Sequence, residues 1–123
     1  MNTLLPSTPG PPSASVRLEA EEALTVQRLR GLDADFTAMV TASTDSNADD
    51  EHDPEGATIA FERSRLEALI LQTQRHLADI GLAHDRLAQG TYEECESCGN
   101  PIGQARLDAR PVARTCMSCA TLA

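Results

Sequence analysis

From Val16 to Ser43 the apolar positions recur with a helical period. Leu18, Thr25, Leu32 and Met39 repeat every seven residues, and Glu22, Leu29 and Phe36 form a companion row. Together they trace one seam, weak at Glu22 and Thr25. Gly31 softens this helix by about 1 kcal/mol relative to Ala, and Ser13 or Ser15 is placed to cap its start. A second pattern runs from Pro54 to Gln89, with Ile59, Leu66, Thr73, Ile80 and Leu87 in one row and Arg63, Ile70, Leu77 and His84 in the other. Asp53-Pro54-Glu55 reads as its start and Gly90 as its stop. Between the two patterns the polar stretch Ser43 to Gly56 breaks the period. Two seam-bearing helices joined by one polar loop predict a mainly α fold, a long antiparallel two-helix coiled-coil hairpin over residues 15–90. Its second helix is expected to be about 50 Å long at 1.5 Å per residue.

Composition agrees with an elongated molecule. Trp is absent, with two Phe and one Tyr, so the large side chains that dominate a thick core are scarce. Residues 1–14 carry no charge and are rich in Pro, Ser and Thr, as expected of a disordered leader. The net charge is -9, every cation is Arg, and six acids with no cation lie within the loop 44–56. That loop is the expected acidic tip of the hairpin. Such a block repels nucleic acid and favours a basic or metal-containing partner. No apolar run is long enough to span a membrane, and the N-terminal segment lacks the pattern of a secretory signal.

The chemistry concentrates in residues 91–123. Cys95 and Cys98 form one CxxC, Cys116 and Cys119 a second, separated by seventeen residues. Each pair can present two sulfurs to one ion, and four thiolates suit a single structural Zn2+ with no open coordination position. A redox dithiol, a disulfide pair and unrelated core cysteines are the weaker alternatives, and iron is a minor one. Clustered CxxC pairs point to a reducing, cytoplasmic compartment. The same spacing occurs in GATA-like DNA readers, but those need a basic surface. Here Arg106, Arg110 and Arg114 are offset by Glu93, Glu94, Glu96 and Asp108, so direct DNA binding is not expected. These arginines are placed either to contact a partner or to pair with the nearby acids. Ile102 and Leu107 are expected to form the small core under the knuckles, with His84 half-exposed on the seam. No nucleophile with a partner base and no phosphate loop is present, so no enzyme activity is expected.

The stretch Gly90 to Cys119, GTYEECESCGNPIGQARLDARPVARTCMSC, resembles the zinc finger of the DksA/TraR family of bacterial transcription regulators. The matching positions are Gly90-Thr91-Tyr92, Cys95, Cys98-Gly99, Ile102, Arg106-Leu107, Ala109, Pro111, Cys116 and Cys119. The resemblance implies a partner, RNA polymerase, entered through its secondary channel with the coiled-coil tip near the catalytic Mg2+. It also implies action without DNA binding, and a monomer is expected. Members carry D-x-x-D-x-A at the tip; the counterpart here is Asp50-Glu51-His52-Asp53-Pro54-Glu55, with Asp50 and Asp53 in place and Glu55 where the family has Ala. Asp53 has a competing role as helix cap, and His52 reads as a solvated loop residue. The Glu55 departure motivates a second reading, a zinc-dependent protein-interaction adaptor without the polymerase role.

Overall fold

A computed structural model describes residues 13–45 and 54–122. Asp50, His52 and Asp53 lie outside the described residues. The chain forms four helices, α1 (Ala14–Asp45), α2 (Pro54–Gln89), α3 (Gln104–Ala109) and α4 (Met117–Thr121). Among the described residues there is no strand, only an isolated antiparallel bridge between Glu94 and Pro101.

The ends of the long helices follow from local chemistry. Ser13 caps α1: the Val16 N–H donates to its Oγ at 3.3 Å and the Arg17 N–H to its carbonyl at 3.0 Å. The helix runs two residues beyond the expected Ser43, with the Thr44 hydroxyl donating back to the Val40 carbonyl at 2.9 Å. α2 begins at Pro54, whose missing N–H costs nothing in a first turn. It ends in a left-handed cap. Gly90 has φ +80°, its N–H donates to the Leu87 carbonyl at 3.3 Å, and the Thr91 N–H donates to the Arg86 carbonyl at 2.9 Å. This pair of bonds satisfies two orphan carbonyls and turns the chain out of the helix.

Two compact units divide the fold: residues 21–82, and residues 83–122 together with α1 up to Ala20. In the first, the seam rows hold. Thr25, Leu66, Thr73 and Ile80 are buried, and Leu29, Leu32, Phe36, Met39, Ile59, Ile70 and Leu77 are half-buried. The two buried threonines are satisfied within their own helices, each hydroxyl donating to the carbonyl four residues back at 2.7 Å (Glu21 and Leu69). Two seam positions shift. Glu22 is exposed and Glu21 is half-buried; likewise Arg63 is exposed and Glu62 half-buried. In both places a three-residue step replaces the four-residue step that the sevenfold spacing suggested. Glu21 then meets His76 Nε2 at 2.9 Å across the helix pair. Glu21, Thr25 and Arg28 of α1 line one cleft with Gln72, Thr73 and His76 of α2, as two antiparallel helices place them.

The second unit has its own core. Leu18 and Ala83 from the long helices pack with Tyr92, Cys95, Ile102, Leu107 and Ala113, and Leu87 and Val112 lie against them. Leu18 and Leu107 are almost completely buried, each worth about 1.5–3 kcal/mol of apolar transfer.

Candidate metal centre

The first knuckle is a tight loop. The Cys95 N–H donates to the Asn100 carbonyl at 2.8 Å, and the Gly99 N–H returns to the Cys95 carbonyl at 2.9 Å. Gly99 sits at φ +75°, where a residue with Cβ is strained. The bond from the Ile102 N–H to the Glu93 carbonyl, 2.8 Å, closes the base of the loop and drives Ile102 into the core. The second knuckle is a helix start. Cys116 stands at the N-cap of α4 in extended conformation (φ -70°, ψ 166°), and Cys119 follows within the helix.

This places the sulfurs of Cys95, Cys98, Cys116 and Cys119 within 4.8 Å of one another. No disulfide joins them, and Cys98 and Cys116 approach to 3.8 Å between sulfurs. Cys95 is buried and Cys98 exposed. Without a cation the thiols of Cys95 and Cys119 are held in opposite directions. The Cys116 backbone N–H holds the Cys95 thiol down at about 6, whereas hydrogen bonds with the thiols of Cys116, Cys95 and Cys98 push Cys119 up to about 12. Four soft donors converging from two knuckles, unable to ionise together alone, fit one structural zinc ion. Bound there, the ion neutralises thiolate charge and cross-links both knuckles. The donor set leaves no position for a substrate.

Around the cysteines the structure settles the roles of several charges. Arg106 turns inward, its Nε donating to the Thr115 carbonyl at 2.8 Å. Arg114 lies 3.9 Å from Glu96. Arg17 pairs with Asp108 at 3.1 Å, and Ile102 and Leu107 form the expected core. Arg86 was invisible to the periodicity. It is buried, with Nη2 donating to the Ala113 carbonyl at 3.3 Å and Nη1 3.8 Å from Glu96. His84 is half-buried.

Tyr92 is the sole tyrosine and reports on this core. Its hydroxyl donates to the Pro111 carbonyl at 2.8 Å. Burial raises its pKa above the ordinary 10.0, against the opposing pull of Arg17 and Arg86. A raised acid pKa means that the neutral form is favoured by folding. This contribution is complete below pH 10 and is lost as pH rises through the folded value. Ultraviolet absorbance titration should therefore show the phenol of the zinc-loaded protein ionising above pH 10, and at the ordinary value after chelation. Identical curves would mean that Tyr92 does not depend on the metal-held core.

Comparison with known proteins agrees with this geometry. Residues 90–123 match the family model described as the prokaryotic dksA/traR C4-type zinc finger. The uncharacterized protein YteA of Bacillus subtilis is 39% identical over 69 residues, covering 56% of this chain and 29% of that protein. An uncharacterized protein of Aquifex aeolicus is 43% identical over 44 residues, covering 36% of this chain and 30% of its own length. The matches thus span less than a third of these two relatives. The solved structure of transcription factor DksA2 from Pseudomonas aeruginosa shares the fold, with a TM-score of 0.53 and 24% identity over 90% of this chain and 88% of that one. Residues 90–123 are thus similar to the dksA/traR C4-type zinc finger, and the chain shares the fold of the DksA2 structure.

Proposed function

We propose that the chain is a transcription regulator that binds RNA polymerase through the secondary channel, bringing an acidic tip with Asp50 and Asp53 near the active site, without binding DNA. The observation that carries this reading is the C4 finger of the dksA/traR type at residues 90–123, joined to a pair of helices of 32 and 36 residues. At 1.5 Å per residue, α2 is about 50 Å long, a reach suited to a deep channel. The charge distribution supports the same partner. Six acids stand between Asp45 and Glu55 with no cation among them, and Mg2+ is a hard cation that prefers carboxylate oxygen.

The proposed role is regulatory rather than enzymatic, and the four-cysteine cluster is a donor set suited to a closed, structural metal. Among the described residues no helix is long and apolar enough to cross a membrane; the proposed site of action is the cytoplasm, and the proposed working form is a monomer. Co-purification with core RNA polymerase tests the reading, with a duplex-DNA mobility shift as its counterpart. Capture of polymerase and no DNA shift at physiological salt are expected. Failure to bind polymerase would favour the adaptor reading that the Glu55 departure motivates. Specific submicromolar DNA binding would favour a GATA-like reader instead.

A further inference from the structure

The main chain entering the second knuckle is held carbonyl by carbonyl. Ala113, Arg114 and Thr115 are the three residues before Cys116. The Ala113 carbonyl accepts from Arg86 Nη2 at 3.3 Å. The Arg114 carbonyl accepts from the Glu96 N–H at 2.9 Å. The Thr115 carbonyl accepts from Arg106 Nε at 2.8 Å. The three donors come from three places: α2, the first knuckle and α3. Arg106 also reaches past the cysteine, with Nη1 3.6 Å from the Met117 sulfur, so its guanidinium straddles Cys116. Glu96, between Cys95 and Cys98, has its carboxylate 3.8 Å from Arg86 and 3.9 Å from Arg114. The first knuckle and the approach to the second are thereby tied through one buried guanidinium.

We propose that Arg106 and Arg86 are positioning residues of the zinc centre, fixing the backbone that delivers Cys116 to the other three sulfurs. A planar guanidinium is suited to this task, since its fork can hold two acceptors at set directions where an ammonium cannot. Groups that orient metal ligands in this way are typically worth about 10-fold to 100-fold in metal affinity. Charge offers a competing explanation, because four thiolates and one Zn2+ leave a net dianion that any nearby cation would stabilise. Arg110 separates the two. It is exposed, lies in the same finger, and makes no hydrogen bond or ion pair with its side chain among the described residues.

The test measures zinc affinity by competition with a chromogenic chelator, together with the visible absorption of the Co2+-substituted protein, in the full chain. Arg106→Gln should weaken zinc binding by about 10-fold or more and shift the cobalt bands, because the sulfur geometry relaxes. Arg106→Lys, which keeps the charge, should recover only a small part of the loss. Arg110→Gln, which removes the same charge, should leave affinity and spectrum unchanged. Arg86→Lys should resemble Arg106→Lys, and helicity by circular dichroism identifies any variant that has unfolded; Arg106, only half-buried, carries the decision if Arg86→Lys does. Full recovery by lysine, equal loss in Arg110→Gln, or an unchanged cobalt spectrum in Arg106→Gln would each overturn positioning in favour of charge alone.

Discussion

Chelating the zinc should unfold residues 91–122 while α1 and α2 keep much of their helicity. The finger has little else to hold it. Its own buried apolar side chains larger than alanine are Tyr92, Cys95, Ile102 and Leu107, and α3 and α4 are six and five residues long, below the length at which a helix stands alone. Structural zinc in small fingers contributes on the order of 10 kcal/mol of coupled binding and folding, more than these contacts can replace. The long helices differ: Thr25, Leu66, Thr73 and Ile80 line a buried seam of their own in residues 21–82. One Zn2+ per chain is expected by elemental analysis. In excess chelator, circular dichroism should fall modestly, while the tyrosine signal and the dispersed amide resonances of the finger should collapse. Cys116→Ser should behave like the chelated protein. Retention of folded finger resonances without metal would show that the small core suffices.

The second large effect is expected at the tip and rests on the proposed polymerase role. Asp50→Asn should leave folding and polymerase affinity nearly intact but remove most of the effect on transcription. One Asp is enough to cap a helix, yet six acids crowd this segment. Unpaired like charges at close range oppose folding, which argues for a use outside the chain. Asp53→Asn should cost little stability, because Asn also caps well, and should weaken the same effect. The measurement is multi-round transcription in vitro beside a binding assay on the same preparations. Two variants that regulate as wild type does would reduce the acidic segment to a solubilising loop, and the adaptor reading would gain.

Helix ends and metal ligands were legible in the sequence because each is written in nearby residues. Pro54, Gly90 and the two CxxC pairs act through their own backbone or their own sulfur, and the structure finds α2 ending at Gln89 and the four sulfurs gathered. The resemblance in Gly90 to Cys119 anticipated the zinc-finger model that matches residues 90–123. The sidedness of individual seam residues was less legible. Glu21 and Glu22 are adjacent and identical in type, so only the packed structure tells which one turns toward His76. Arg86 was missed for another reason. Arginine in a helix ordinarily signals a solvated face, and its burial here depends on the Ala113 carbonyl and Glu96, partners that no local pattern announces. The same holds for Arg106, whose motif position was visible but whose grip on Thr115 was not.

The core of the metal-bearing unit also sets an order of events during synthesis. Leu18, near the start of α1, packs with Ile102, Leu107 and Ala113 from the far end of the chain. Contacts of such high sequence separation close only after a large loop has been ordered. The seam residues of 21–82 can pair while the finger is still being translated. Leu18 cannot complete its burial until Ile102, Leu107 and Ala113 have emerged. Metal loading is then the last step of maturation, and a truncated or stalled chain would display Leu18 as an unmet apolar surface for quality-control factors to recognise.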